Sequence, residues 1–342
     1  MDGLDRLLIG LSNAHWGIGA YDLTRPPVRA PVVHCMEHSS NGMALVLPRA
    51  IMSITQLLRE DQTLRAELRG RFKYPRFPLQ AELVAPALSS SYSTVGTAVD
   101  YLLRGKVEFL NPGRVSLNQA LIGEYGYSRL TMFLKRVGKG RVALGRKHRL
   151  ILPANKVLRR VDEDYERSRT VLMAYGRNGL LCEEVVNAAL FFARLDPFYR
   201  AGVIDPGLIE PDEHAHADVS SVIRQAPDGP FIAQKHCYLN PDFGKASLLV
   251  EGADADLIVD DLLLEIKTTK DLGVRREHLD QLLSYYVLHK IGGVNEMPRS
   301  RPIKRVGIYF SRHALLWSVP VEELASTRAL TGFKRWFEGH YG

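Results

Sequence analysis

The sequence predicts an α/β fold (α+β mixed sheet), with helices preceding a strand-rich C-terminal third. Apolar residues recur at helical spacing near 53–70 and 93–104, and again through most of 114–200. From about residue 231 the pattern changes to short apolar and β-branched runs, separated by Gly, Pro and Asp, as is typical of strands. One helix is predicted among these strands, near 276–290. Such a chain is expected to pack helices against a sheet.

The composition is that of a globular, basic protein. The 342 residues are 46% hydrophobic and carry a formal net charge of +7, which favours an anionic partner such as nucleic acid. Cys35, Cys182 and Cys237 lie far apart without a CxxC pair, which argues against a disulfide framework, a zinc ribbon or an iron-sulfur cluster. No apolar run approaches the roughly 18 residues of a membrane span, and the first residues do not resemble a secretory signal. We therefore expect a cytoplasmic protein without a membrane partner.

Two helices are predicted before residue 106. Ser53 can cap the first, which continues to Gly70. The second is expected from about Ser93 to Arg104, with Gly105 as its stop and Asp100 in its middle.

A mostly helical region is expected at about 114–220. Its last part, 205–221, is rich in Pro, Gly, Asp and His and is the best candidate for a boundary or an insertion. The region also holds a basic segment, which is either a solvated loop or a surface that follows phosphates. Its cations are Lys135, Arg136, Lys139, Arg141, Arg146, Lys147 and Arg149.

The segment 253–270 has the pattern of a β-hairpin that carries acidic residues. Asp256 precedes a β-branched run, the turn pair 260–261 follows, and a second run ends in Glu265, Ile266 and Lys267. Because side chains alternate along a strand, Glu265 and Lys267 share a face while Ile266 points to the other. A hairpin can bring Asp256 beside them.

Two carboxylates and an ammonium in one place favour metal-assisted phosphodiester hydrolysis. The carboxylates can hold a hard divalent ion, Mg²⁺ or Mn²⁺, while Lys267 orients the attacking water or offsets charge on the phosphorane. The alternative is a surface hairpin with a solvated Glu and Lys two residues apart, which is common in antiparallel sheets. Gln281 and Tyr285 favour the catalytic interpretation, because they lie four residues apart on one face of the next helix.

This order of residues resembles the QxxxY branch of the PD-(D/E)xK nuclease superfamily, the branch of lambda exonuclease and the RecB nuclease domain. Asp256, Glu265, Lys267, Gln281 and Tyr285 match its pattern position by position. The resemblance implies that these five residues form the catalytic site and that Gln281 and Tyr285 hold substrate or orient the lysine. Tyr285 could also be a core aromatic residue.

The resemblance further implies a restriction-endonuclease-like αβββαβ core with a helical insertion. The nuclease domain would span 89–342, with the insertion at about 114–220, and residues 1–88 would form an N-terminal extension for substrate or partner binding. Metal ligands would be Asp256, Glu265 and the backbone carbonyl of Ile266.

A fourth ligand is expected from an upstream helix, where the family places a glycine followed by His or Glu. Gly96 and Asp100 stand in the corresponding run, although Asp replaces the usual residue and roughly 150 residues separate it from Asp256. Glu184, or its neighbour Glu183, is the alternative ligand. We favour Asp100.

The predicted function is a Mg²⁺-dependent deoxyribonuclease, and a catalytically silent nucleic-acid or protein binding module is the alternative. The chain lacks a GxxxxGK[ST] loop, so unwinding would need a helicase or ATPase partner. Anti-phage defence or recombination and repair are both compatible with such a nuclease. The residues do not choose between exonuclease and internal cleavage, and they leave the oligomeric state open.

Several other groups are weaker candidates. The group Asp212, Glu213, His214, His216 and Asp218 has the composition of a metal site but lies in the linker-like stretch. The pair His34 and His38 suggests ordinary packing. Arg275, Arg276 and Lys270 are either phosphate contacts or a solvated helix start.

Overall fold

The structure is a computed structural model that describes residues 54–342, except 119, 146–149, 251, 295–296 and 298–300, and leaves the side chains of 117–118 undescribed. The pair His34 and His38 and most of the predicted N-terminal extension lie outside the described residues. So do three cations of the basic segment, Arg146, Lys147 and Arg149.

The described residues form eleven α-helices and eight β-strands. The helices are α1 (Ile54–Glu60), α2 (Gln62–Arg71), α3 (Tyr92–Leu110), α4 (Ile122–Val137), α5 (Ala154–Asn178), α6 (Glu183–Ala201), α7 (Glu213–Gln225), α8 (Lys245–Leu248), α9 (Arg276–Gly292), α10 (Val321–Leu324) and α11 (Thr327–Tyr341). The strands are β1 (Val115–Asn118), β2 (Arg141–Leu144), β3 (Leu150–Pro153), β4 (Cys237–Leu239), β5 (Leu257–Val259), β6 (Leu262–Lys267), β7 (Arg305–Phe310) and β8 (Leu315–Pro320). None of the helices in this part of the chain is long and apolar enough to cross a membrane.

Six strands form one mixed sheet in the order β1-β4-β5-β6-β7-β8. The pairs β4/β5, β5/β6 and β7/β8 are antiparallel, whereas β1/β4 and β6/β7 are parallel. The remaining two strands, β2 and β3, pair with each other in a small antiparallel sheet. The predicted class, an α/β fold with a mixed sheet, is confirmed.

Helices cover both faces of the six-stranded sheet. Alternate side chains of β6 separate into two cores: Leu264 packs into one with α3 to α7, and Leu263 packs into the other with α9 and α11. The same alternation occurs in β5, where Leu257 and Ile258 belong to different cores. The sheet therefore lies between a layer formed by the helical region and a layer formed mainly by the C-terminal helices.

The described part of the predicted N-terminal extension packs on the second of these layers. Helix α1 contacts α9, and α2 contacts α11. The Ile54 N–H also donates to the carbonyl of Gly252 at 3.2 Å. By its contacts this stretch belongs to the same compact unit as the sheet.

The predicted single helix ending at Gly70 is wrong, because the chain forms two helices. Asp61 separates them: its carboxylate accepts from the N–H of Leu64 at 2.9 Å and so caps α2. Gly70 lies inside α2, which ends at Arg71.

The helix expected to stop at Gly105 continues to Leu110. Gly105 has another role, because a Cβ at this position would lie 2.7 Å from the ring of Tyr175 on α5. The glycine permits close contact between α3 and α5 and does not end the helix.

Two other segments differ from their predicted structure. The linker-like stretch 205–221 is mostly ordered structure, a short 3₁₀ helix followed by α7. The strand-like pattern that begins near residue 231 also includes a short helix, α8, before β5 begins at Leu257. The predicted helical region at 114–220 is largely helical, and it also contains β1, β2 and β3.

A fully buried ion pair joins helix α7 to the turn between β7 and β8. Arg312, in the turn between β7 and β8, donates from Nη1 to Asp218 Oδ1 on α7 at 2.7 Å, and both side chains are at most 1% exposed. Asp218 Oδ2 also accepts from the backbone N–H groups of Leu88 and Ser89. The pair therefore fixes the segment that leads into α3.

Replacing Asp218 by Ala is expected to lower the free energy of unfolding by about 3–5 kcal/mol, because it leaves the Arg312 charge buried without a counter-ion. Urea denaturation followed by circular dichroism measures this change. The control is Arg159→Ala, which breaks the exposed pair with Glu163 and is expected to cost less than about 1 kcal/mol. Equal losses in the two variants would contradict a structural role for the buried pair.

Candidate active site

The predicted β-hairpin is present and is formed by β5 and β6. Val259 pairs with Leu262 across the two-residue turn at 260–261. Asp260 takes a left-handed conformation with φ of 53°, and its carboxylate accepts from the N–H groups of Gln234 and Lys235 at 2.8 Å. This anchors the turn, so the hairpin holds a fixed register where it delivers Asp256 and Glu265.

Asp256 and the end of β6 meet at the open end of the hairpin. Asp256 Oδ2 accepts from the backbone N–H of Ile266 at 2.6 Å. Glu265 and Lys267 share a face, as predicted, because Lys267 Nζ donates to Glu265 Oε1 at 2.8 Å. Ile266 points to the other face, into the core formed with α3 to α7.

Helix α9 adds an amide and a phenol to this group. Gln281 Oε1 accepts from Lys267 Nζ at 3.1 Å, and Gln281 Nε2 donates to Glu265 Oε1 at 2.8 Å. The same nitrogen lies 3.1 Å from the Tyr285 hydroxyl and 3.3 Å from Thr55 Oγ1 of α1. Gln281 is thus the residue through which the acid, the lysine and the tyrosine are connected.

Tyr285 combines the two roles considered for it. Its ring stacks on Phe243 at a centroid distance of 5.4 Å in the core, and its hydroxyl faces Gln281. Burial, followed by the charge of Glu265, raises the pKa of the Tyr285 phenol well above its usual range. The hydroxyl therefore stays protonated.

Helix α3 brings a third carboxylate from the opposite side of the sheet. Asp100 is bound by Arg104 one turn later, through Nη2 to Oδ2 and through Nε to Oδ1 at 3.1 Å. Gly96, near the start of the same helix, lies close to β6, since a Cβ there would be 3.9 Å from Thr268. The negative charge of Asp256 contributes to raising the pKa of Asp100, and the charges of both carboxylates raise the pKa of Arg104.

The alternative fourth ligand, Glu184, is elsewhere. It lies with Glu183 on the exposed first turn of α6. The charged groups that act on Asp100 and Asp256 do not include it. The charge of Asp256 acts on Asp100 and the charge of Glu265 acts on Asp256, whereas Glu184 acts on neither aspartate.

Desolvation by burial is the largest effect on the carboxyl groups of Asp100 and Asp256. Burial raises the pKa of Asp100 to about 7, against the lowering effect of Arg104. Burial, and then the charge of Glu265, also raises the pKa of Asp256. Burial opposes the charged form of Lys267, but Glu265 and Asp256 outweigh it and raise the pKa of the ammonium. The site holds more negative charge than its own cations neutralise.

A hard divalent cation fits this donor set. Glu265 Oε2 is buried and has no hydrogen-bond partner among the described residues, so an oxygen ligand is left unused. A cation there would also relieve the repulsion that raises the pKa of Asp256. Among the described residues, no group of three or more His, Cys, Asp or Glu side chains is arranged so that it could hold a metal ion. The carboxylates are instead engaged by Arg104, Lys267 and Gln281.

Sequence reasoning missed four residues near the cluster, which are Asp254, Asp196, Arg104 and Thr55. Asp254 acts on the pKa of Asp100 and of Asp196 on α6, so the helical region contributes to the surroundings of the site. The spacing Asp254-Ala-Asp256 is a signal for the first of these. Arg104 could have been found from its position four residues after Asp100, whereas Thr55 gives no local signal.

The demoted candidates have structural roles where they are described. Asp212 caps α7 and accepts from the Ser89 hydroxyl at 2.9 Å, while Asp218 belongs to the buried pair with Arg312. Arg276 donates to the carbonyls of Leu68 and Phe72 and thereby fixes α2. The other members behave as surface residues: Glu213, His214, Lys270, Arg275, Lys135, Arg136, Lys139 and Arg141 are exposed, and His216 is half-buried.

The thermal stability of the protein without metal is expected to fall as pH rises from about 4 to 7. The folded-state pKa of Asp100, about 7, lies above its usual value of 3.8, so between these pH values the folded state holds a proton that the unfolded state releases. Folding is therefore penalised progressively as pH rises through this window. Differential scanning fluorimetry measures the effect.

The control for this titration is Asp100→Asn, whose melting temperature should fall less over the same range. Adding Ca²⁺ should raise the melting temperature of the wild type more at pH 8 than at pH 5.5, because only the ionised carboxylates bind it. A Ca²⁺ shift that is equal at the two pH values would contradict binding at these carboxylates.

Comparison with known proteins gives no match to this chain, whether among protein-family models, curated proteins or solved structures. Hydrogen bonds join the side chains of Glu265, Lys267 and Gln281, and Asp256 accepts from the backbone N–H of Ile266, which lies between Glu265 and Lys267.

Proposed function

We propose that this protein is a metal-dependent nuclease that hydrolyses phosphodiester bonds of DNA, on a PD-(D/E)xK core of the QxxxY type. The observation that carries the proposal is the bond network of Lys267 Nζ, which contacts both Glu265 Oε1 and Gln281 Oε1. Lys267 and Gln281, which are 14 positions apart in sequence, are thereby held together with Glu265 in one group. A solvated surface hairpin would not bury Glu265 to 7% exposure.

Each residue has a distinct part in the proposed reaction. Asp256, Glu265 and the Ile266 carbonyl would hold Mg²⁺ or Mn²⁺, with Asp100 as a further ligand; when bound, the ion supplies Lewis-acid polarisation of the phosphate. Lys267 would donate to the attacking water or to a phosphate oxygen and stabilise the added negative charge. Gln281 keeps the lysine in place, and its bond to Glu265 fixes the orientation of that carboxylate.

DNA is the favoured substrate because of the net charge of the chain and a cavity with aromatic and cationic side chains, which the five catalytic residues themselves do not line. An open cavity of about 520 Å³ lies between the loop 74–79 and the loop that joins β6 to α9. Tyr74 and Phe77 offer aromatic surface there, and Arg76 lies exposed at the same cavity. Aromatic rings with cations beside them suit a nucleic-acid strand. The net charge of +7 favours the same partner.

The second candidate is a binding module that retains the fold without catalysis. The complete set of Asp256, Glu265, Lys267 and Gln281 disfavours it, since a site used only for binding has no chemical need for all four.

A nuclease without its own ATPase would depend on a helicase or defence-system partner for unwinding. Anti-phage defence and recombination or repair both remain compatible settings.

Linear DNA is expected to be cleaved with Mg²⁺ or Mn²⁺ and to stay intact with EDTA, and covalently closed circular DNA is tested beside it to separate end-dependent from internal cleavage. Lys267→Ala should abolish cleavage while leaving folding and metal binding nearly intact, because the lysine acts on the reaction and does not hold the ion. Gel electrophoresis of the products measures this. Loss of the linear substrate alone would identify cleavage that begins at ends.

The matched control is Lys270→Ala, which removes an exposed lysine three residues further on and should keep full activity. Glu265→Ala should be inactive and should lose metal as well. Robust cleavage by Lys267→Ala protein would refute the assignment of the site. Wild-type protein that binds DNA but cleaves neither substrate with either ion would favour the binding module.

A further inference from the structure

The guanidinium of Arg104 is only partly used within the protein. Its Nε and Nη2 donate to the two oxygens of Asp100, and one side of the group lies 5.8 Å from the centre of the Tyr101 ring. The side chain is 8% exposed. Its Nη1 is buried and has no hydrogen-bond partner in the part of the chain that the structure describes. A buried N–H without an acceptor is unfavourable, so this nitrogen calls for a ligand.

Arg104 lies beside the proposed catalytic carboxylates. Its helix, α3, approaches the end of β6, since a Cβ at Gly96 would lie 3.9 Å from Thr268. Two cations act on Asp256, Arg104 from α3 and Lys267 from β6. Lys267 is already bound by Glu265 and Gln281, whereas Arg104 keeps an unused donor nitrogen.

We propose that Arg104 binds the scissile phosphate of the DNA through its Nη1 edge and that Asp100 holds it in position; this inference rests on the proposed nuclease function. A guanidinium is planar and has donors on two edges, so one edge can pair with a carboxylate while the other binds phosphate oxygens. Arg104 would then stabilise negative charge that grows on the phosphate during cleavage. This gives Asp100 a second role besides that of a metal ligand.

The competing explanation is that Arg104 only neutralises Asp100. The two explanations differ once the carboxylate is removed, because a counter-ion is then dispensable and a phosphate ligand is not. The informative comparison is between Asp100→Asn and the double variant Asp100→Asn/Arg104→Gln. Asp100→Asn leaves Arg104 with Asp256 as the remaining negative charge that acts on it, so circular dichroism first checks that both variants fold. If Asp100→Asn does not fold, the wild type is compared with Arg104→Gln instead.

The test is the affinity of these proteins for a fluorescein-labelled DNA duplex with single-stranded overhangs, measured by anisotropy in EDTA over a series of salt concentrations. EDTA removes any contribution of Asp100 through a metal ion, and cleavage does not occur. The double variant should bind more weakly than Asp100→Asn. The slope of log affinity against log salt should become shallower by about 0.9, the value for one phosphate contact on duplex DNA.

Lys334→Gln is the control for net charge, because it removes a cation from a half-exposed pair with Glu338 on α11; it should leave the slope unchanged. Equal affinity and slope for Asp100→Asn and the double variant would overturn the proposal, as would absence of DNA binding by the wild type at low salt. With Mg²⁺, Arg104→Gln should slow single-turnover cleavage by about 10²–10³-fold, and Arg104→Lys should recover part of the loss. Wild-type protein that shows the Arg104-dependent slope but no cleavage would refute the nuclease function and support the contact.

Discussion

The architecture of the site depends on the confinement of three carboxylates in a place that water hardly reaches. Asp100, Asp256 and Glu265 come from different parts of the chain, and burial raises the pKa of Asp100 and of Asp256. Arg104, Lys267 and the N–H of Ile266 stabilise the ionised carboxylates. One carboxylate oxygen of Glu265 is left without a hydrogen-bond partner among the described residues. In the proposed function, a divalent cation would bind there.

The position of the β5–β6 hairpin in the sheet explains how these carboxylates come close to one another. The hairpin β5–β6 is central in the sheet, so its open end is flanked by helices from both layers. Helix α3 contributes from one layer and α9 from the other, and the anchored turn at Asp260 keeps the strands in register. The long helical region between α3 and β5 does not separate them in space, because α4 to α7 fold back on α3 and on one another.

Sequence patterns predicted the class of fold, the hairpin and the helix that carries Gln281, because each depends on local periodicity or on a turn. The shared face of Glu265 and Lys267 followed from strand alternation. Long-range packing could not be predicted from local patterns. No residue near Gly105 in the sequence indicates that the Tyr175 ring lies beside it. The buried partners Asp218 and Arg312 are also far apart in sequence, so the stretch around Asp218 looked like a linker. For the site, Asp256 was placed by pattern, whereas the pairing of Asp100 with Arg104 needed the structure.

The position of Mn²⁺ in crystals, located from its anomalous scattering, tests the proposed metal site directly. A peak is expected in contact with the carboxylates of Asp256 and Glu265, and it should be lost in Glu265→Gln crystals prepared in the same way. Glu184→Gln crystals should keep it, because that residue lies on the exposed start of α6. A wild-type peak elsewhere, for example beside Asp212 and His214, or no peak at this cluster at saturating Mn²⁺, would contradict the claim that these carboxylates form a metal site.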